Sequence, residues 1–330
     1  MKPTPKNQFA SGADATKSGF PPVEDSRTRS NPLTVAQHLA VVGTRVFFGA
    51  LCGTVRLSRG AHPRDWRTVR YGLHREEILG YHAPLPGHRP RDAVVFIHGG
   101  GWMMGTKDFY SHDLMFLPEA GYPVFNIEYP KAPEHPHPRP LRSLLAALVF
   151  IKRSFPEARR VHLMGDSAGG NMAVMAALLL SNPDLLKDVD AWCEPDKLPD
   201  AVSVTSLYGV LDRHSVVQSK VPGITTMFEA YAGPRALADD IAPDNAVTPM
   251  DLKFDRHPPC FIVCGAEDPI LKSSELYARH LQEDGHKVVF KTYAGAFHGF
   301  FNIPDREPKY VLRQDIIGFL EFHSAGAPAA

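Results

Sequence analysis

Between Arg159 and Leu178 the sequence runs RRVHLMGDSAGGNMAVMAAL. A short apolar run stops at Gly165, and an apolar, Ala-rich segment begins immediately after Ser167. A strand handing over to a helix with almost no linker demands a sharp turn, and Gly165 and Gly169 let neighbouring chain approach closely enough to make one. Gly-x-Ser-x-Gly closing a strand and opening a helix is the pattern of a nucleophile elbow, in which the helix N-terminus behind the serine favours developing negative charge. Without its flanks the same stretch would be a glycine-rich turn with a spectator serine. What decides between the two is whether the rest of the chain supplies a base, an acid and donors for an oxyanion.

The periodicity around the elbow alternates strand and helix. WRTVRYGLH and EEILGYHAP predict two early strands, paired antiparallel at a sheet edge. RDAVVFIHGG, YPVFNIEYP, RRVHLMGDS, AVSVTSLYGV, PPCFIVCGAED and HKVVFKTYAG predict further strands. DLMFLPEAG, LRSLLAALVFIKRSF, GGNMAVMAALLLSN, SSELYARHLQEDG and YVLRQDIIGFLEFH predict helices. This spacing implies an α/β fold with a mostly parallel central sheet covered by helices on both faces. The rhythm breaks from about 211 to 259, where no strand is evident and ITTMFEAYAG predicts one helix; an insertion of that length is a natural lid.

Residues 1–32, rich in Pro, Ser, Gly and charge, predict a disordered or loosely docked tail and lack the apolar centre of a secretory signal, so a cytoplasmic location is expected. Residues 33–65 predict a helical segment, with the main α/β domain at 66–330. Within that segment, residues 39–57 are apolar enough to raise a weak membrane contact. Arg45 near the centre argues against crossing, since a central Arg costs about 2.5–3.5 kcal/mol on insertion scales; a helix covering part of the fold is preferred. Lys plus Arg and Asp plus Glu both number 36, so no basic excess points to nucleic acid. Of the four cysteines, Cys260 and Cys264 share one face of a buried strand, where core packing explains them better than zinc.

The missing partners stand at strand ends. His298 lies in YAGAFHGFF after the KVVFKTY strand, and Asp268 lies in CGAEDPI after CFIVC, with Glu267 beside it as the alternative acid. The order serine, acid, histidine is that of the elbow architecture. Ser167 would attack, His298 would take and return the proton, and Asp268 would orient the imidazole. FIHGGGW, after the first long buried strand, offers Gly99, Gly100 and Gly101, whose backbone N–H groups can turn inward, and the N–H of Ala168 would join them. A phosphate loop would need a different glycine spacing. His135 and His137 sit among prolines and predict structural histidines rather than a metal pair.

Taken in order, HGGGW, EYPKAPEHPHP, GDSAGGN, EDP and FHGF resemble the hormone-sensitive lipase-like family of α/β-hydrolases, from about Ala93 to Phe322. The resemblance implies a serine carboxylesterase acting on short- to medium-chain acyl esters, with a helical cap made by the N-terminal segment and the insertion. It implies no cofactor or metal, a small-molecule ester as partner, and pairing into a homodimer through the last strand and helix. It places the oxyanion donors on Gly100, Gly101 and Ala168 of the Gly99–Gly101 loop and elbow. His98, Glu134 and Asp166 would brace the catalytic loops. Where the family reads Tyr-Arg-Leu-Ala-Pro-Glu, this chain has Pro130 and Lys131. Trp102, Phe228, Tyr231, Phe297 and Phe300 are the aromatics expected to wall the substrate pocket. Amide or formamide hydrolysis by the same triad stays open, as does a ligand receptor on the same fold, although such receptors lack the histidine found here at His298.

Overall fold

The computed structural model describes residues 33–58, 63, 65–88, 91–189, 193–219, 221–233, 246–304 and 307–324. The tail read at 1–32 and residues 234–245 of the insertion lie outside the described residues. In chain order the elements are α1 (Val35–Ser58), β1 (Arg67–Arg70), β2 (Ile78–His82), β3 (Ala93–Ile97), α2 (Lys107–Tyr110), α3 (Phe116–Glu119), β4 (Val124–Ile127), α4 (Arg139–Ser154) and β5 (Arg160–Asp166). There follow α5 (Ala168–Ser181), α6 (Leu185–Asp188), β6 (Asp200–Leu207), α7 (Arg213–Gln218), α8 (Ile224–Ala232), β7 (Cys260–Gly265), α9 (Leu271–Glu283), β8 (Val288–Tyr293) and α10 (Glu307–His323).

The eight strands form one sheet in the order β1-β2-β4-β3-β5-β6-β7-β8. β1 and β2 pair antiparallel, β2 joins β4 antiparallel, and every later pairing is parallel. The central strands are fully buried and their side chains alternate between two cores. Val95 and Ile97 of β3 join Leu144, Leu148 and the apolar body of α5 on one face. Val94 and Phe96 join Tyr110, Leu117, Leu312 and Ile316 on the other. Continuous apolar runs such as AVVFI are what a strand buried on both faces requires.

The strand order fixes where a site can lie. From β3 the chain steps outward to β4, then crosses back past β3 to β5. The connections leaving β3 and β5 therefore diverge at the carboxyl edge of the sheet and open a crevice there, at the topological switch point. HGGGW leaves β3 and the serine elbow leaves β5, so both motifs stand at that crevice.

The insertion after β6 carries α7, which its composition did not announce, and α8, where ITTMFEAYAG was expected to be helical. The Asn171 amide on α5 donates to both Val210 O and Val247 O at 2.8 Å, tying the two ends of the insertion to the central helix. α1 packs on α8.

At the antiparallel edge, Arg139 at the start of α4 donates 2.7 Å to Glu77, which also accepts from the Ser143 hydroxyl and from the backbone N–H of His74. Burial alone would raise the Glu77 carboxyl, but these donors together hold it below its ordinary value. Removing one partner of a buried pair leaves the other desolvated without compensation. Glu77→Ala is expected to destabilise the protein by about 3–5 kcal/mol in urea unfolding; a loss near zero would mean that the edge hairpin is not held this way.

Candidate active site

The elbow is strained and tightly enclosed. Ser167 sits at φ 52° and ψ −120°, a region that side-chain-bearing residues adopt at a cost of about 1–3 kcal/mol. Its N–H donates to Leu207 O at 2.8 Å and its carbonyl accepts from Asn171 N at 3.0 Å. A Cβ on Gly169 would lie 2.1 Å from Ile97 O, and one on Gly165 would lie 2.2 Å from Gly169 O. Both are impossible contacts, so the turn between β5 and α5 closes only with glycine at these two places.

Ser167, His298 and Asp268 come together although they are far apart in sequence. The Ser167 hydroxyl lies 3.0 Å from His298 Nε2, and His298 Nδ1 lies 2.8 Å from Asp268 Oδ2. Asp268 is buried, and its other oxygen accepts from Ile270 N at 2.9 Å, which fixes the carboxylate. With Nδ1–H donated to Asp268, Nε2 is left to accept the serine proton. Glu267, the alternative acid, accepts from Gly295 N instead. Tyr208, which the motifs did not single out, sits at φ 40° and places its ring edge-on to His298 with centroids 4.9 Å apart.

The HGGGW loop divides its donors. Gly99 N–H is taken up by Asp166 Oδ1 at 2.7 Å, so Gly99 belongs to the loop but does not supply a free donor. Among the described residues, no acceptor takes the N–H of Gly100, Gly101 or Ala168. Gly100, at φ 116°, turns the chain, and its carbonyl accepts from both Met103 N and Met104 N. Asp166 is fully enclosed. Burial pushes its carboxyl up to about 6 against the pull of the Gly99 and Tyr110 donors, so it is charged at neutral pH and able to accept from both.

Glu134 and Glu128 stand on different sides of the loop. Glu134 is exposed and holds Arg45 of α1 in a two-pronged pair at 2.8 and 2.7 Å. Glu128, just past β4, accepts from His98 Nε2 at 3.1 Å, from Lys107 N at 2.9 Å and from Lys131. The other nitrogen of His98 lies 2.7 Å from Gly99 O. Lys131 also donates to Glu76 at 3.0 Å, so the departure from the family pattern at this position becomes a buried ammonium joining two carboxylates. An acidic residue at the carboxyl end of a parallel strand was a signal available in the sequence, by the reasoning that picked Asp268. Burial alone would raise the Glu128 carboxyl, but the charges and hydrogen bonds of His98 and Lys131 hold it down at about 2.

The five candidate aromatics separate. Trp102 stacks on Tyr231 with centroids 4.5 Å apart and tilts against Phe228 at 5.3 Å, all three buried, so they join the oxyanion loop to α8. Met227 of α8, which sequence reasoning missed, comes close to the same loop at Gly101. Phe300 is buried against Tyr208 and Tyr293 and supports the histidine loop from within the core. Phe297, beside His298, is exposed. His135 packs on His74, while His137 meets the Tyr231 hydroxyl at 3.1 Å. No group of three or more His, Cys, Asp or Glu among the described residues is arranged to hold a metal ion.

A family model described as the α/β hydrolase fold matches residues 94–302. The chain is 26% identical over 231 residues to an esterase of Acinetobacter venetianus, a match covering 66% of this chain and 71% of that protein. Among solved structures, it is similar to esterase B from Lactobacillus Rhamnosis (HN001), with 17% identity, a TM-score of 0.75 and coverage of 87% of this chain and 96% of that one. It is also similar to the Francisella virulence factor BioJ, with 21% identity, a TM-score of 0.69 and coverage of 86% and 93%. At these identities the solved structures speak to the fold.

The depressed Glu128 carboxyl gives a pH dependence with a definite sign. Its value in the fold, about 2, lies below the ordinary 4.5, so the folded state binds fewer protons between those limits. The stabilisation is complete above pH 4.5 and is lost as pH falls to about 2. Glu128→Gln is therefore expected to be less stable than wild type near neutrality by on the order of 3 kcal/mol, with the two stabilities converging on acidification. Urea unfolding across pH measures it, and an offset that stays constant down to the acid end would refute the assignment.

Proposed function

The chain belongs to the α/β-hydrolase fold family, as its hormone-sensitive lipase-like motifs implied, and on that footing we propose that it is a serine carboxylesterase acting on short- to medium-chain acyl esters. The observation that carries this reading is the continuous line from Asp268 through His298 to the Ser167 hydroxyl, at 2.8 and 3.0 Å. The chemistry follows from the donors and acceptors on that line. Ser167 Oγ attacks the ester carbonyl carbon as its proton passes to His298 Nε2, and Asp268 steadies the imidazolium. The carbonyl oxygen becomes an oxyanion next to the N–H groups of Gly100, Gly101 and Ala168, at the N-terminus of α5. His298 then protonates the departing alcohol oxygen and leaves an acyl-serine. Water, deprotonated by the same nitrogen, attacks the acyl carbon, and the carboxylic acid and free serine are released.

Met227 Sδ lies where a Cβ on Gly101 would come within 2.4 Å of it, and Trp102 stacks on Tyr231, so α8 packs directly on the oxyanion loop. We read α1 and α8 as the cap that sets which esters enter. The esterase name of the Acinetobacter relative agrees with this reading.

A panel of p-nitrophenyl esters from acetate to palmitate, with a p-nitroanilide for comparison, tests it. Wild type is expected to prefer the shorter esters over palmitate and over the anilide. Ser167→Ala is expected to lower kcat by at least about 10,000-fold, and Asp268→Asn by a similar factor through the wrong imidazole tautomer. Equal turnover by wild type and Ser167→Ala would end the proposal.

A further inference from the structure

Helix α1 is apolar on both of its faces, and among the described residues only one of them is covered. The inner face carries Val41, which is buried, Phe48, which packs on the core, and Arg45, whose Nε donates 3.0 Å to Met103 O beside the oxyanion loop. The outer face carries Val35, Leu39, Val42 and Val46, at spacings of four, three and four residues. These positions fall on one narrow stripe of a helix. Their exposures are 78%, 68%, 55% and 67%. No charged residue interrupts the stripe. A three-turn apolar ridge of this kind is not the scattered surface hydrophobicity of an ordinary domain, and it needs a partner.

The charge around the helix says which partner. In a chain whose formal net charge is zero, residues 26–70 hold eight arginines and a single acidic residue, Asp65. Arg27 and Arg29 precede the helix, and Arg56, Arg59 and Arg64 follow its apolar body. Arg67 and Arg70 on β1 are exposed. An apolar ridge in an arginine-rich stretch of sequence matches a surface that is apolar within and anionic at its rim, which is the description of an anionic lipid interface.

We propose that the outer face of α1 binds an anionic lipid surface, lying in the interfacial plane with Val35, Leu39, Val42 and Val46 towards the acyl chains, the arginine surplus of this stretch of sequence supplying the attraction to anionic headgroups. The helix lies on the membrane and does not cross it. Crossing would pull Arg45 away from Met103 O, Ala132 O and Glu134 and drive its charge into hydrocarbon. Because Arg45 holds the segment that follows the oxyanion loop, docking by the outer face leaves the inner contacts intact. The esterase reading is not required for this inference.

Flotation of the full-length protein with vesicles separates the outcomes. Wild type and Ser167→Ala are expected to float together with phosphatidylcholine vesicles containing about one-third phosphatidylglycerol, and to dissociate in about 0.5 M NaCl. The double variant Leu39→Glu/Val46→Glu is expected to bind at least about tenfold more weakly, while keeping the wild-type circular dichroism and rate on p-nitrophenyl acetate. Any of five results would overturn the proposal. The double variant could float as well as wild type; wild type could bind neutral vesicles equally well, or not bind at all; binding could survive alkaline carbonate, which marks a spanning helix; or the substitutions could turn a dimer into a monomer with lipid binding absent throughout, which would assign the ridge to a second copy of the chain.

Discussion

One hydrogen bond, from Gly99 N–H to Asp166 Oδ1 at 2.7 Å, joins the two halves of the site. Gly99 opens the loop that follows β3, and Asp166 is the residue before the serine at the end of β5. The two strands are neighbours in the sheet, paired in parallel from Ala93 with Val161 to Ile97 with Gly165. Their ends therefore arrive side by side, but the chain then leaves in opposite directions. The bond ties the loops at the moment they part. It sets the next two N–H groups, of Gly100 and Gly101, relative to the serine. A carboxylate is suited to this task because a charged acceptor makes a stronger bond in a buried site than a neutral one. The enclosure that raises the Asp166 carboxyl to about 6 is the same enclosure that makes its hydrogen bonds strong.

Behind this bond stands a chain of polar contacts that would be unfavourable anywhere but at a site. Lys131, Glu128 and His98 are all buried, and His98 ends the chain at Gly99 O. The ring of Tyr129 stacks on His98 with centroids 4.5 Å apart, and its hydroxyl donates to His98 O. Gly99 is thus held through its N–H from the elbow side and through its carbonyl from the β4 side. Both restraints reach the loop from rigid strand ends, which is how a backbone donor can be kept in place before substrate arrives.

The elements legible in the sequence were those whose signal is local. β3 and β7 are continuous apolar runs, and the elbow glycines sit where Cβ atoms would collide with Ile97 O and Gly169 O. Ser167, Asp268 and His298 were legible because strand ends in this topology face one crevice. Glu128 was obscured by Glu134, which the family pattern favours but which the fold turns outward to Arg45. Which of two nearby carboxylates is buried depends on how β4 meets β2 and β3, and no spacing rule carries that information. Phe300 and Phe297 make the same point. They are three residues apart in one loop, yet one supports the core and the other meets solvent, because the short helical turn at Phe300–Asn302 rotates them apart. Tyr208 gave no signal: its N–H still pairs with Val263 O, and its positive φ follows no residue pattern in the sequence.

The HGGGW loop is held differently on its two sides. On the inner side its restraints are buried carboxylates and strand ends, which belong to the cooperative core. On the outer side they are α1 and α8, through Arg45 to Met103 O and through the stacking of Trp102 on Tyr231. Arg45 is partly exposed and its partner Glu134 more so, so this ion pair contributes little to stability by itself. What it supplies is direction, since a guanidinium with its donors committed to Met103 O, Ala132 O and Glu134 allows α1 one position over the loop. The inner set is therefore part of the buried core, whereas the inner-face contacts of α1 and α8 form a layer laid over the loop. The inner set is built from groups that cannot be exchanged without leaving a buried charge uncompensated, and the outer set from contacts that can be repacked.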